Sequence, residues 1–174
     1  QTCALPIFDI TFGNGYFVAV ANGSATFIYS IDGINWNSGS LLSASGWNSI
    51  AFGDGEFYVT GSSTAGNFSR DLINWTVRNH NVNGTALVAY ENGAFIVVDA
   101  SGASNSSIFT LNLTNQTNIT FNGNLSSSYG AYIVGGEDKF IAGSGATYFT
   151  FPVTYGTSHI YPFHTGDIEN VRIG

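Results

Sequence analysis

Cysteine is nearly absent: Cys3 stands alone in 174 residues, so no disulfide framework can staple this chain. Methionine is missing altogether. Charge is scarce as well, at 9% of residues, against roughly 25% in an ordinary soluble domain. Lysine and arginine number 4 against 11 acidic residues, for a net charge of -7. So few cations cannot track a phosphate backbone, which excludes nucleic-acid binding. No apolar run approaches the roughly 20 residues of a membrane-spanning helix, so helical membrane insertion is excluded too. What the chain does hold is 44% hydrophobic and 15% aromatic residues, with 22 glycines. Apolar content this high with so little charge excludes a disordered chain. It suits an all-β protein with a neutral surface of Ser, Thr, Asn and Gly.

The opening Gln1-Thr2-Cys3-Ala4-Leu5-Pro6-Ile7 resembles a translated short-read sequencing adapter. Residues 1-7 are therefore expected to be a scar outside the fold, and 8-174 to be a single domain or a fragment of one. On that reading Cys3 says nothing about redox compartment, and a native leader would not be visible.

One pattern recurs along the rest. It reads Asp9-Ile10-Thr11-Phe12-Gly13-Asn14-Gly15-Tyr16-Phe17-Val18-Ala19-Val20 first, then Asn48-Ser49-Ile50-Ala51-Phe52-Gly53-Asp54-Gly55-Glu56-Phe57-Tyr58-Val59. More degenerate copies surround Phe95 and Phe140. Phe17, Phe57, Phe95 and Phe140 are 40, 38 and 45 residues apart. Each copy reads as a β-hairpin, because two apolar runs flank a tight turn. The turns carry Asn14-Gly15, Asp54-Gly55 and Asn92-Gly93, pairs that tolerate the positive φ of twist-compatible hairpins. A second signal follows in two copies: Ser30-Ile31-Asp32-Gly33-Ile34-Asn35-Trp36 and Ser69-Arg70-Asp71-Leu72-Ile73-Asn74-Trp75. Tyr29-Ser30 and Phe68-Ser69 are expected to end a third strand. Asp32 and Asp71 would accept backbone N–H bonds in the turn, and Trp36 and Trp75 would open a fourth strand and bury a large ring. Each unit is then a four-stranded meander, with units at about 8-46, 47-84, 85-129 and 130-174. Trp36, Trp47, Trp75, Phe17, Phe57, Phe95 and Phe140 are expected to pack unit on unit.

That size and strand count match a β-propeller blade. The hairpin followed by Ser-x-Asp-Gly-x-x-Trp resembles the BNR or Asp-box-like repeats of β-propellers, most of all those of bacterial surface proteins and phage tail or receptor-binding proteins. The usual Asp-box is Ser-x-Asp-x-Gly-x-x-Trp. Here Ser30 to Trp36 is one residue shorter, and Ser69 to Trp75 lacks the Gly. The resemblance implies an all-β propeller of about four blades, expected to be an incomplete ring. An open arc should expose apolar residues on its first and last units.

Each candidate site carries a plainer reading. The glycine-rich turns precede strands and not helices, so they are not phosphate loops. Asp32 and Asp71 sit at equivalent places on different blades and cannot converge on one substrate, so they are read as structural turns. A sialidase, which Asp-boxes suggest, would by resemblance need three arginines, a Tyr nucleophile with a Glu, and an Asp acid. Only Arg70, Arg78 and Arg172 are present, none placed on a blade's first strand, and no channel-facing carboxylate pair with an arginine cluster is evident. His159 and His164 straddle Pro162, a spacing no regular element brings to one face, and His80 is isolated; no metal or cofactor is expected. Nine Asn-x-Ser/Thr sequons (Asn22, Asn67, Asn74, Asn83, Asn105, Asn112, Asn115, Asn118 and Asn124) matter only in a glycosylating secretory pathway. They are read as a bias towards small polar residues. Tyr16, Tyr58, Tyr148, Tyr155 and Tyr161 could stack on sugar rings if exposed.

These readings converge on a non-enzymatic, extracellular or virion-borne structural or adhesive module. Its closest description is a phage tail fibre or receptor-binding protein that contacts a cell-surface glycan or protein, with possible homo-oligomers. A bacterial surface adhesin or lectin-like propeller is the alternative, and a glycan-active enzyme a third. A propeller assembly factor of the photosystem type would usually carry a basic patch, which this charge disfavours.

Overall fold

Four antiparallel sheets follow one another along the chain, each a four-stranded meander whose strands pair in sequence order. The computed structural model describes residues 6-43, 46-80, 82, 84-101 and the strand segments 106-111, 116-121, 132-136, 139-144, 147-152 and 166-167. Blade 1 comprises β1 (Ile7–Gly13), β2 (Tyr16–Ala21), β3 (Thr26–Ser30) and β4 (Asn37–Ser40). Blade 2 comprises β5 (Trp47–Gly53), β6 (Glu56–Gly61), β7 (Ala65–Ser69) and β8 (Trp75–Asn79). Blade 3 is β9 (Ala86–Glu91), β10 (Ala94–Asp99), β11 (Ser106–Leu111) and β12 (Gln116–Phe121). Blade 4 is β13 (Tyr132–Gly136), β14 (Lys139–Ser144), β15 (Thr147–Pro152) and β16 (Gly166–Asp167). β1 starts at Ile7, one residue inside the stretch expected to lie outside the fold, and Ile7 pairs with Ala21.

The hairpin turns follow from their residues. Asn14, Asp54 and Asn92 take φ of 47°, 49° and 47°, and the glycines after them take 80°, 75° and 81°. Two successive positive-φ residues make the type I′ turn, whose twist matches the flanking strands. The register that results pairs Phe12 with Phe17 and Phe52 with Phe57.

First strands lie side by side, β1 against β5, β5 against β9, and β9 against β13. Three apolar cores fill the gaps between blades. Val18, Val20 and Phe27 of blade 1 meet Ile50, Phe57, Leu72 and Trp75 of blade 2. Ala51, Tyr58 and Phe68 of blade 2 meet Val88, Phe95 and Val97 of blade 3, with Ala86 among them. Ala89, Ile96 and Val98 of blade 3 meet Phe140 and Ala142 of blade 4. Side chains alternate across a strand, so each blade offers one face to the blade before it and the other to the blade after.

Close approach between blades requires glycine at two equivalent places. A Cβ on Gly13 would lie 2.0 Å from the Phe52 ring, and one on Gly53 would lie 2.0 Å from the Tyr90 ring. The aromatic ring of the later blade rests on bare backbone of the earlier one. The third junction exchanges the partners. Glu91 occupies the register of Gly53, and Gly135, in the register of Phe52, gives way to it, since a Cβ there would come within 2.8 Å of Glu91 Cβ.

Among the described residues, the outer faces are uncovered. Ile10, Phe12 and Trp36 on blade 1 are exposed, as are Tyr132, Val134 and Ile141 on blade 4. This corrects the expectation for Trp36, which is 38% exposed and lies one residue before β4. Its counterpart Trp75 opens β8 and is buried because its ring meets Phe27 of blade 1, centroids 5.2 Å apart. Among the described residues no blade stands on the other side of blade 1 to do the same for Trp36. Phe17 is half-buried for the same reason, whereas Phe57, Phe95 and Phe140 are buried.

Candidate interaction surface

The Ser-x-Asp turns link the third and fourth strands of blades 1 and 2. In each, one carboxylate binds three residues of its own turn. Asp32 Oδ1 accepts from Ile34 N and Asn35 N, both at 2.8 Å, and from Ser30 Oγ at 3.0 Å, while Oδ2 accepts from Asn35 Nδ2 at 2.7 Å. Asp71 repeats the set with Ile73 N, Asn74 N, Ser69 Oγ and Asn74 Nδ2 at 2.9, 2.7, 3.2 and 2.8 Å. Donation from the backbone N–H of Asn35 holds the Asp32 carboxyl well below the usual carboxylate range, and that of Asn74 does the same for Asp71. Both carboxylates spend their acceptor capacity inside their own turns, which leaves them poorly suited to proton transfer. At the position after Asp71 stands Leu72, with φ of 62°, where blade 1 has Gly33 at 73°. Leu72 tolerates this left-handed conformation because its side chain is buried against blade 1.

Further contacts stitch these turns to their neighbours. Asn14 Nδ2 donates to the carbonyls of Gly55 and Arg70, both at 3.2 Å. Tyr90 Oη donates to Asp54 Oδ1 at 2.6 Å and accepts from Gly93 N at 3.0 Å. The hairpin turns and the Ser-x-Asp turns therefore share one end of the arc and hold each other in place. From it project Ile31, Ile34 and Ile73, which are 71%, 80% and 81% exposed. Ile34 and Ile73 occupy the same place in their turns, two residues past the carboxylate, and the backbone N–H of each is fixed by it.

A charged cluster lies beside this surface. Glu56, the first residue of β6, is buried, and both its oxygens are occupied. Arg70 Nε donates to Oε1 at 2.8 Å, and Arg78 donates from Nη1 to Oε2 at 2.9 Å and from Nη2 to Oε1 at 3.1 Å. Arg78 also covers the Phe68 ring, 3.9 Å from its centroid. Arg78 lies within β8, the fourth strand of its blade. Sequence reasoning saw no carboxylate with two arginines, because Glu56, Arg70 and Arg78 are 14 and 8 residues apart and meet only through the meander. A glutamate directly after Asp54-Gly55, where the first copy has Tyr16, was the available signal.

Along the first strands, Asp9 Oδ2 accepts from Ser49 Oγ at 2.8 Å and Ile50 N at 2.9 Å, and Ser49 Oγ accepts from Val88 N at 3.2 Å. These bonds join blades 1, 2 and 3. Tyr58, expected among the exposed rings, is fully buried. Its face of β6 turns towards blade 3, where it stacks on Phe68 at 3.7 Å, and desolvation pushes its phenol pKa upward. Tyr16 is half-buried beside Tyr29. The sequon residue Asn67 is buried, with its side-chain oxygen accepting from Leu42 N. The side chains of Tyr148, Tyr155, Tyr161, His159, His164 and Arg172 lie outside the described residues. Among the described residues no group of three His, Cys, Asp or Glu side chains could hold a metal. Trp47 is buried between blades 1 and 2, and its Nε1 donates to the Ser43 carbonyl at 3.1 Å.

His80 is fully buried, and its Nδ1 accepts from Val82 N at 3.2 Å. Burial pushes its pKa down to about 4. In the unfolded chain it would titrate near 6.5, so the unfolded state takes up the proton first as pH falls. This contribution to stability is complete above about pH 6.5 and is lost progressively down to about pH 4, amounting to about 2–3 kcal/mol. Thermal melting from pH 7 to pH 4 should show the loss, and His80→Gln should flatten that part of the profile. An unchanged profile in the variant would contradict the assignment.

Comparison with solved structures decides the architecture. The chain superposes on YCF48 bound to D1 peptide with a TM-score of 0.66 at 17% identity, covering 95% of this chain and 55% of that one. It matches YCF48 from Cyanidioschyzon merolae at 0.62 and 19%, covering 97% and 59%. The WD40 propeller domain of Doa1 matches at 0.61 and 12%, covering 87% and 53%.

The fold is a β-propeller.

Its four blades form an open arc, and the chain spans only 55% of the first of those structures. No protein-family profile and no curated protein matches in sequence. Identities this low show the propeller architecture alone.

Proposed function

We propose that this propeller is a non-enzymatic binding module that docks a protein segment on its turn surface. The observation that carries the reading is the pair of equivalent isoleucines, Ile34 and Ile73, held in water by turns whose backbone the Asp32 and Asp71 carboxylates tie down. Exposed aliphatic side chains on a pre-organised backbone suit a partner with an apolar stripe, since little conformational entropy is lost on binding. The neighbouring Ile31 widens the contact. A propeller solved with a bound peptide, YCF48, is similar in fold, which fits a protein partner. A glycan partner needs exposed rings, and burial of Tyr58 with half-burial of Tyr16 leaves fewer of them. The sialidase reading would need free arginines, and both Arg70 and Arg78 are bound to Glu56.

The setting is part of the same proposal: a phage tail fibre or receptor-binding protein, or a bacterial surface adhesin, working on a virion or outside the cell. The uncharged Ser, Thr, Asn and Gly surface and the repeat pattern favour it.

Panning a displayed peptide library against the chain tests the site. Selected peptides should bind the wild type, and Ile34→Ser/Ile73→Ser should weaken them at least about tenfold, the effect of losing about 1.4 kcal/mol. Peptides that bind both proteins equally would move the site elsewhere. A glycan array that lights up while no peptide is selected would replace the protein partner with a carbohydrate.

A further inference from the structure

The Ser-x-Asp turns of blades 1 and 2 share a plan but differ at one exposed position. Ile34 and Ile73 stand two residues past their aspartates, at 80% and 81% exposure. Between the serine and the aspartate, blade 1 has Ile31 and blade 2 has Arg70. Ile73 and Arg70 belong to blade 2, whose first strand lies between those of blades 1 and 3. Their exposure therefore owes nothing to where the arc begins.

Arg70 is fixed at its backbone and open at its tip. Its carbonyl accepts from Asn14 Nδ2 at 3.2 Å, which clamps it to the hairpin turn of blade 1. Its Nε, the guanidinium nitrogen nearest the backbone, donates to Glu56 Oε1 at 2.8 Å, yet the side chain stays 68% exposed. Glu56 is shared with Arg78, which donates to both of its oxygens. Two guanidinium groups thus face one carboxylate, and the surplus positive charge lies on the exposed one. Asp71, the next carboxylate along the chain, is bound within its own turn.

We infer that the segment docked on this surface carries one aspartate or glutamate among apolar residues, with Arg70 binding that carboxylate while Ile73 and Ile34 take the apolar neighbours. The inference rests on the docking proposed above and names the chemistry of the partner. A guanidinium fork matches a carboxylate with paired N–H donors. One surplus charge balances one carboxylate, whereas a phosphoryl group brings nearly two and would meet Asp71, which its backbone donors keep ionised. The net charge of -7 repels an acidic run, so a single carboxylate in apolar surroundings fits best.

Peptides panned against the chain are the probe, each synthesised with its acidic residue and with the matching amide. In anisotropy titrations the acidic form should bind the wild type about threefold to fivefold more tightly, the effect of one exposed ion pair. Arg70→Ile, which copies the turn of blade 1, should remove that preference and leave the amide form bound. Glu56 keeps both hydrogen-bonded oxygens on Arg78 in this variant, so circular dichroism should show it folded; Arg70→Gln replaces it if it does not. An acid preference that survives the substitution would place the carboxylate elsewhere and overturn the inference. Selected peptides that lack an acidic residue but weaken on Ile34→Ser/Ile73→Ser would also overturn it, with the docking surface intact. Peptides indifferent to the isoleucine substitutions, or none selected, would overturn the docking itself.

Discussion

Phe57→Ala should lower the stability of the chain by about 3–5 kcal/mol, while Phe17→Ala, at the equivalent position one blade earlier, should cost no more than about 1 kcal/mol. Both residues are the second residue of a blade's second strand and both pair with an aromatic across the hairpin. The difference lies in the neighbour. Phe57 is fully buried between blades 1 and 2, so its truncation removes a ring and leaves a cavity. Phe17 is half-buried, with no covering blade among the described residues, and its loss is partly filled by water. In a chain of this length the Phe57 variant should melt about 10 °C lower or more. Urea denaturation of the two variants checks the prediction, and equal losses would mean that blade 1 is covered in solution.

Arg78→Met should cost about 3 kcal/mol, because it strands a buried carboxylate. Glu56 would keep only Arg70, whose side chain is 68% exposed and therefore well screened. Arg78 supplies two of the three charged hydrogen bonds to Glu56 and the cation over Phe68. The double substitution Glu56→Leu/Arg78→Met should regain most of the loss, since a buried pair replaced on both sides by apolar groups leaves nothing unsatisfied. Equilibrium denaturation of the single and double variants measures the difference. A double variant no better than Arg78→Met would show that the arginine acts by packing on Phe68 and not through the carboxylate.

Much of this was legible beforehand, and particular residues show why. Asn14-Gly15, Asp54-Gly55 and Asn92-Gly93 announce hairpins because few residues accept two successive positive φ values. The serine and aspartate of Ser30-Ile31-Asp32 and Ser69-Arg70-Asp71 announce hydrogen-bonded turns, because their side chains reach backbone N–H groups a few residues on. Both signals are local, and a local signal needs no knowledge of what lies across the fold. Trp36, Tyr58 and Glu56 were not legible in this way. Trp36 and Trp75 have the same local setting, and only the blade beside Trp75 separates a buried ring from an exposed one. Tyr58 alternates with apolar residues as an exposed tyrosine would, yet both sides of a blade can be interior. Glu56 finds Arg78 from 22 residues away, across two strands.

The amino-acid sequence by itself therefore determined the strands, the tight turns and the repeat that makes four blades, because turn chemistry and side-chain alternation act within a few residues. The tertiary structure alone decided which of two equivalent aromatics is buried, which glycine receives a ring, and where the arc stops being covered. Burial is a property of what stands opposite. Two chemically identical positions acquire different energies when one faces a blade and the other faces water.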